Sequence, residues 1–464
     1  MLFAIAFSAA VSSAAEPTWK AGTAKTVITP DKPMWMGGYG SRDRPAEGKV
    51  HDLWIKVLAL EDGDGHRAIV LSSDTLGIPK SIYENTCRAL GEKYQLDRAQ
   101  IMLNSSHTHC GPVLRGTLYD AYELDDEKVR TEQLKLIEEY AAALEGKIVE
   151  TVGQALSDLQ PVSLEVGEGS AGFAVNRRNN DEAKVPELIR QNALKGPTDH
   201  AVPVLAVRLP NGEPKALVFA YACHNTTMSF YQWCGDYAGF AQMALEDSHP
   251  GAVAMFTMGC GGDQNPLPRR NLTQCRRYGQ MLASAVEETL LRPMETVRPT
   301  LKTEFEFIDL NLGAAPTREE LQQAAAGSVA YERRWAARLL KQLDEGRPFY
   351  RTYPYPLQVW KLGDSRLWIT MSGEATVEYS LGFKKQFGPK TWVTAYCNDV
   401  MAYIPSLRVL EEGRYEGSSS MIVYGQPARR WGNDIEGLIN NGVGRLVERV
   451  GGPPRAEPSG PPSK

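Results

Sequence analysis

Short apolar runs alternate with stretches of helical periodicity along most of this chain, and that alternation narrows its fold class more than any other feature. Runs of strand length, rich in β-branched and aromatic residues, occupy 54–60, 68–72, 100–104, 202–207, 216–222, 253–258, 367–371 and 391–395. Helical patterns cover 80–94, 130–159, 272–291, 318–342 and 435–450. In the second of these, Leu134, Leu136, Ile137, Tyr140 and Leu144 lie along one side. Strands interleaved with helices predict an α/β architecture: a mixed β-sheet core flanked by helices, in a single large domain over residues 16–450. Within it, 203–209 and 215–222 predict a hairpin, with Asn211-Gly212 as a type I′ turn.

The runs share a second property, in what ends them. AIVLSSD ends on Asp74, QIMLNSSHTH on His107 and His109, and ALVFAYACH on His224. AVAMFTMGCGGD ends on Asp263 and LWITMSGE on Glu374, while WVTAYCND leads into Asn398, Asp399 and Tyr403. In α/β sheets the loops leaving strand C-termini converge on one crevice. Separated strands that deliver His, Asp or Glu therefore predict one polar centre assembled from distant sequence.

Taken singly, each motif has a plainer reading. Two histidines in His-x-His can share one side of an exposed turn, and His224 can be a hydrogen-bonded core residue. The glycines before Asp263 can form no more than a tight turn, and Ser-Gly-Glu can start a helix with Glu374 at its positive end. Together they read differently. Zinc takes imidazole nitrogen and carboxylate oxygen and, in catalytic sites, keeps one position for water; His107, His224 and Glu374 supply such a set.

Composition acts as a filter. With 42% hydrophobic and 23% charged residues and a net charge of -5, the chain has the balance of a globular protein and no basic face for nucleic acid. The opening MLFAIAFSAAVSSAAEP reads as a signal peptide over residues 1–15, which predicts a secreted or periplasmic protein. No later run is long and apolar enough to span a membrane. Residues 451–464, rich in Pro, Gly and Ser, are expected to be disordered. The seven cysteines (Cys87, Cys110, Cys223, Cys234, Cys260, Cys275 and Cys397) contain no CxxC pair and are expected as small buried packing residues.

Several motifs, in order, resemble those of neutral and alkaline non-lysosomal ceramidases. NSSHTHCGP (104–112) is similar to that family's SxTHTHSGP, and YACHNTTM (221–228) to its His-x-Thr-x-Met segment. MSGEAT is similar to PGEFT, YCNDVMAYIPS to CNxYxxYxTT, and RYEG (414–417) closes the same region. The resemblance spans about residues 21–450 and implies the family's catalytic domain without its C-terminal immunoglobulin-like domain. Carried over by position, it implies zinc on His107, His224, Glu374 and Tyr403, the phenolic ligand resting on the resemblance alone. It implies catalytic roles for His109, Arg177 and Tyr415, with Arg178 adjacent to the chosen arginine. One departure stands out: the family has Ser within GDVSPN, whereas this chain reads GDQNP with Asn265 there. Asn has no hydroxyl nucleophile, so a mechanism needing that Ser does not transfer, while one using water does.

The implied activity is zinc-dependent hydrolysis of an N-acyl amide, a ceramide-like lipid being favoured; such a substrate would allow peripheral contact with membrane lipid, which the sequence leaves open. His109 would carry protons, Tyr415 and Arg177 would hold the oxyanion, and Asp263, with Asp74, would orient ligands. Two other readings stay open: a metal-dependent esterase or phosphoesterase, which Asp74 and Asp263 would serve, and a non-catalytic binding protein that keeps the fold.

Overall fold

The computed structural model describes residues 18–118, 127–364 and 366–455. The expected signal peptide and residues 456–464 of the expected disordered tail lie outside the described residues.

Nine strands form the main sheet. They are β1 (Trp19–Val27), β2 (Trp54–Glu61), β3 (Arg67–Ser73), β4 (Ile101–Ser105), β5 (Gln160–Ser170), β6 (Ala201–Arg208), β7 (Pro214–Tyr221), β8 (Val253–Met258) and β9 (Glu295–Val297). Their order is β8-β7-β6-β5-β1-β2-β3-β4, with β9 beside β5. Two pairings are parallel, β3 with β4 and β7 with β8, one at each end. The intervening pairs are antiparallel.

A second sheet has the order β10 (Leu301–Asn311), β11 (Thr352–Leu362), β12 (Arg366–Met371) and β13 (Trp392–Thr394). Its last pair, β12 with β13, is again parallel. The sheets pack face to face through a buried layer that includes Leu58, Val70, Met102, Leu205 and Val218 from the first and Trp360, Trp368 and Trp392 from the second. Trp368 and Trp392 stack with ring centroids 4.2 Å apart.

The outer faces carry helices. On the main sheet lie α1 (Lys80–Tyr94), α2 (Glu127–Ser157), α3 (Asp236–Ser248) and α4 (Leu272–Leu290). Between β10 and β11 come α5 (Arg318–Ala325) and α6 (Ala330–Asp344), and α7 (Val377–Phe387) precedes β13. The last helix, α8 (Ile435–Arg449), packs on β10 and β11. Alternation along β6, β7 and β8 fails because both faces are covered, as their near-continuous burial shows.

The main sheet folds back until its two ends meet. Lys56 of β2 donates to Ala254 O (2.8 Å) and Ser72 of β3 to Phe256 O, both on β8. Asn104 of β4 joins three segments: its Oδ1 accepts from Met258 N (2.9 Å), and its Nδ2 donates to Ala395 O (2.8 Å) and faces Cys397 Sγ (3.1 Å). The C-terminal ends of all three parallel pairs are thereby drawn together.

Two local expectations are corrected. The predicted helix over 318–342 is two helices, because Gly327-Ser328 interrupts it and Arg333 binds their free carbonyls. The 201–221 hairpin is present, but its turn is not type I′. Gly212 alone takes positive φ (87°), and a register shift at Val207/Arg208 accommodates the difference.

Candidate metal centre

The strand ends deliver the predicted residues to one buried spot. His107 follows β4, in the left-handed region at φ 59°; His224 follows β7. Glu374 follows β12 and pairs with Tyr403 in a two-residue parallel bridge, Glu374–Ala375 against Tyr403–Ile404. All four side chains are buried.

Each histidine is oriented by a backbone carbonyl. His107 Nδ1 donates to Leu76 O and His224 Nδ1 to Gly261 O, both at 2.6 Å. A carbonyl only accepts, so in the neutral rings Nε2 carries a lone pair. His107 Nε2 lies 3.1 Å and His224 Nε2 3.0 Å from Glu374 Oε2, and Tyr403 Oη is 3.2 Å from His224 Nε2. His109 adds its Nε2, 3.1 Å from that of His107. His107, His109 and His224 form a buried three-His group able to hold a metal ion, their ligand atoms lying within 4.8 Å of one another.

The fit is also electrostatic. Burial and the Arg177 guanidinium hold His224 down to about 4, and burial with the other two imidazoles holds His109 well below its ordinary value. Burial opposes the charge on Glu374, and its carboxyl stays well below the usual range only with positive charge at the facing His107 and His224 positions. Converging lone pairs and a carboxylate repel one another unless a cation sits among them. Bonds of about 2.1 Å at angles of 90–110° would place ligand atoms about 3.0–3.4 Å apart, and the separations above match.

Around this cage lies a polar shell. Arg177 donates through Nε to Glu416 Oε1 (2.8 Å), through Nη1 to Asn265 Oδ1 (3.2 Å) and through Nη2 to Tyr403 Oη (3.0 Å). Arg178 turns away to Glu412, Glu416 and Gly413 O, so Arg177 is the arginine at the site. Tyr415 opens a single π-helical turn, packs its ring 5.3 Å from that of Tyr403, and is 43% exposed, which puts it at the rim. Asn265 is buried and receives Arg177.

Other predicted residues stand back from the cage. Asp263 accepts from Val377 N and Asn176 Nδ2, both at 2.9 Å, and ties the Glu374 segment to the Arg177 segment; burial raises its carboxyl to about 6. Asp74 caps the start of β2 through Trp54 N (3.1 Å). Asn398 and Asp399 hold Leu103 N and the Tyr353 hydroxyl. Glu374 does not start a helix; α7 begins three residues later.

Four nearby residues were given no role by the sequence. Tyr424 and Tyr396 both hydrogen-bond Glu374, the latter at 3.3 Å. Tyr39 packs against the His109 ring at 4.8 Å, and Gly38, at φ 102°, passes so close that a Cβ would lie 2.4 Å from that ring.

The family model for neutral/alkaline non-lysosomal ceramidases, N-terminal region, matches residues 19–292, more than half of the chain. The chain belongs to this ceramidase family. Membership places it among hydrolases of the ceramidase type. No curated protein sequence gives a significant match. Among solved structures, one described as a ceramidase complexed with C2 is 19% identical with a TM-score of 0.71, over 96% of this chain and 77% of that one. The neutral ceramidase from Pseudomonas aeruginosa is also 19% identical, with a TM-score of 0.70 over 96% of this chain and 76% of its own. At that identity the likeness establishes the ceramidase fold, and the mixed α/β architecture read from the sequence agrees with it.

Proposed function

We propose that this ceramidase-family chain is a zinc-dependent amide hydrolase that cleaves N-acyl amides, ceramide-like lipids first among them. One observation carries the reading: His107 Nε2 and His224 Nε2, each with its other nitrogen bound to a carbonyl, converge on one oxygen of Glu374. Those three residues, with Tyr403 Oη, would hold the ion. Zinc there would supply Lewis acidity, polarising the acyl carbonyl and allowing water to attack near neutral pH.

The chain's own groups do the rest. His109 has a buried Nδ1 without a hydrogen-bond partner among the described residues, so its ring is free to take a proton and return it to the departing nitrogen. Arg177 commits three of its five N–H donors to Glu416, Asn265 and Tyr403, and the others can face a carbonyl oxygen as it becomes negative. Tyr415 at the rim reaches the same oxygen from the solvent side. Asp263 is a positioning residue between the Arg177 and Glu374 segments. With Asn265 in place of a hydroxyl, the reaction runs by direct attack of water.

Metal analysis and substrate screening test this. Purified protein should hold close to one zinc per chain, lost in His107→Ala and His224→Ala, and should release fatty acid from N-acyl substrates. Folded protein without metal affinity, or activity confined to phosphate esters, would sink it.

A further inference from the structure

The two oxygens of Glu374 keep different company. Oε2 faces His107, His224 and the Tyr396 hydroxyl. Oε1 receives the hydroxyl of Tyr424. A glutamate's terminal torsion is broad and two-fold, so an unrestrained carboxylate can present either oxygen, or both, to a cation.

The loop that bears Tyr424 is held from behind by α6, which no step of the proposed reaction uses. Trp335 Nε1 donates to Gln426 O (2.7 Å) and Arg338 to Gly425 O (2.9 Å). The Tyr350 hydroxyl donates to Gln426 Oε1 (2.8 Å), and Gln426 Nε2 donates to Met401 O (2.9 Å), two residues before Tyr403. Trp335 is buried with Leu321, Ala336, Leu339 and Ile422 in a small core of its own. The loop bearing Tyr424 is therefore fastened both to that core and to the segment carrying Tyr403.

We propose that Tyr424 is a positioning residue: by occupying Oε1 it commits Glu374 to one-oxygen ligation through Oε2 and keeps a coordination position open for water. The inference rests on the zinc reading above. Carboxylate partners of this kind orient ligands, and their loss typically costs about 10–100-fold in metal affinity. Chelation by both oxygens would fill the position that a catalytic site leaves free.

The test is Tyr424→Phe, which removes one hydroxyl. It should weaken zinc affinity by about 10–100-fold and alter the visible spectrum of the cobalt(II)-substituted protein, which reports coordination number, while Tyr94→Phe, whose hydroxyl donates to Val149 O away from the cage, changes neither. Zinc affinity and cobalt spectrum equal to the parent's would overturn the inference and leave the zinc site standing. A parent protein that binds no metal would overturn both. If Tyr424→Phe does not fold, Trp335→Phe carries the test: it loosens the Gln426 anchor and should shift both readouts in the same direction by a smaller factor. No shift there would equally overturn the proposal.

Discussion

His107 and His109 are two residues apart, yet their surroundings differ, and the proposed reaction gives them different work. His107 is pinned by Leu76 O, while His109 Nδ1 has no hydrogen-bond partner among the described residues. His109→Gln should therefore keep its zinc and lose about 10²–10⁴-fold in kcat; loss of the metal as well would make His109 a ligand. A second histidine invites a different measurement. His51 Nε2 lies 3.4 Å from Cys234 Sγ, and Gly235 N–H approaches the same nitrogen at 3.3 Å. Burial pushes His51 down, but the Cys234 thiolate, with the Asp52 carbonyl and Asp74, more than offsets this and raises it to about 9; contact with Cys275 and the His51 ring lowers Cys234 to about 6 against burial. The raised His51 stabilises at low pH and loses that through pH 9, while the lowered Cys234 stabilises at high pH and loses that through pH 6. The two nearly cancel, since the unfolded groups titrate near 6.5 and 9 in the opposite order. Stability should thus be almost flat in this window, whereas ultraviolet thiolate absorbance should rise near pH 6 and move towards 9 in His51→Asn. Among single residues, the convergence of His107, His224 and Glu374 was legible because each closes an apolar run on an ionisable side chain. Tyr424 and Tyr396 were not, since a phenol in a loop looks the same whether it packs or donates.

At the scale of elements, the site depends on three parallel strand pairs and one short bridge. The bridge holding Glu374 beside Tyr403 requires Gly373 at φ 67°, where a Cβ would lie 2.7 Å from Ala402 O. Gly373→Ala should cost about 1–3 kcal/mol, read by denaturant unfolding, and should lower zinc content with it; unchanged stability and zinc would contradict that role. Elements with a strong period or an unbroken apolar run were readable: α1 and β8 occupy the spans expected from sequence. The strands β10 and β11 were missed because β10 alternates with exposed polar residues and β11 contains two prolines, Pro354 and Pro356. The α3 helix begins at Asp236, at φ 53°, without a side-chain cap, so its start gave no signal.

At the scale of the whole molecule, the proposed ligands are contributed by segments beyond the ends of both sheets, from His107 to Tyr403. Chelation should lower the melting temperature by a few degrees, since an ion at 1,000 times its Kd adds about 4 kcal/mol; a scan unmoved by chelator would argue against tight coupling of metal and fold. The α/β class was legible from local patterns. The pairing of two sheets was not, because it is a contact between runs of apolar residues that carry no mark of their partner. Asn104 illustrates this: its amide joins β8, Ala395 and Cys397, and nothing in LNSS distinguishes that from a surface asparagine.

Assembly of the site from segments so far apart in sequence has a consequence in time. A chain made from its N-terminus has all three histidines once residue 224 has emerged, but Glu374 and Tyr403 come only with the last fifth of the sequence. Until then the three histidines would be an incomplete ligand set, which by the general affinity order copper would enter most strongly. The compartment in which residues 374–403 finally dock, and the ions on offer there, would therefore decide which metal this protein carries.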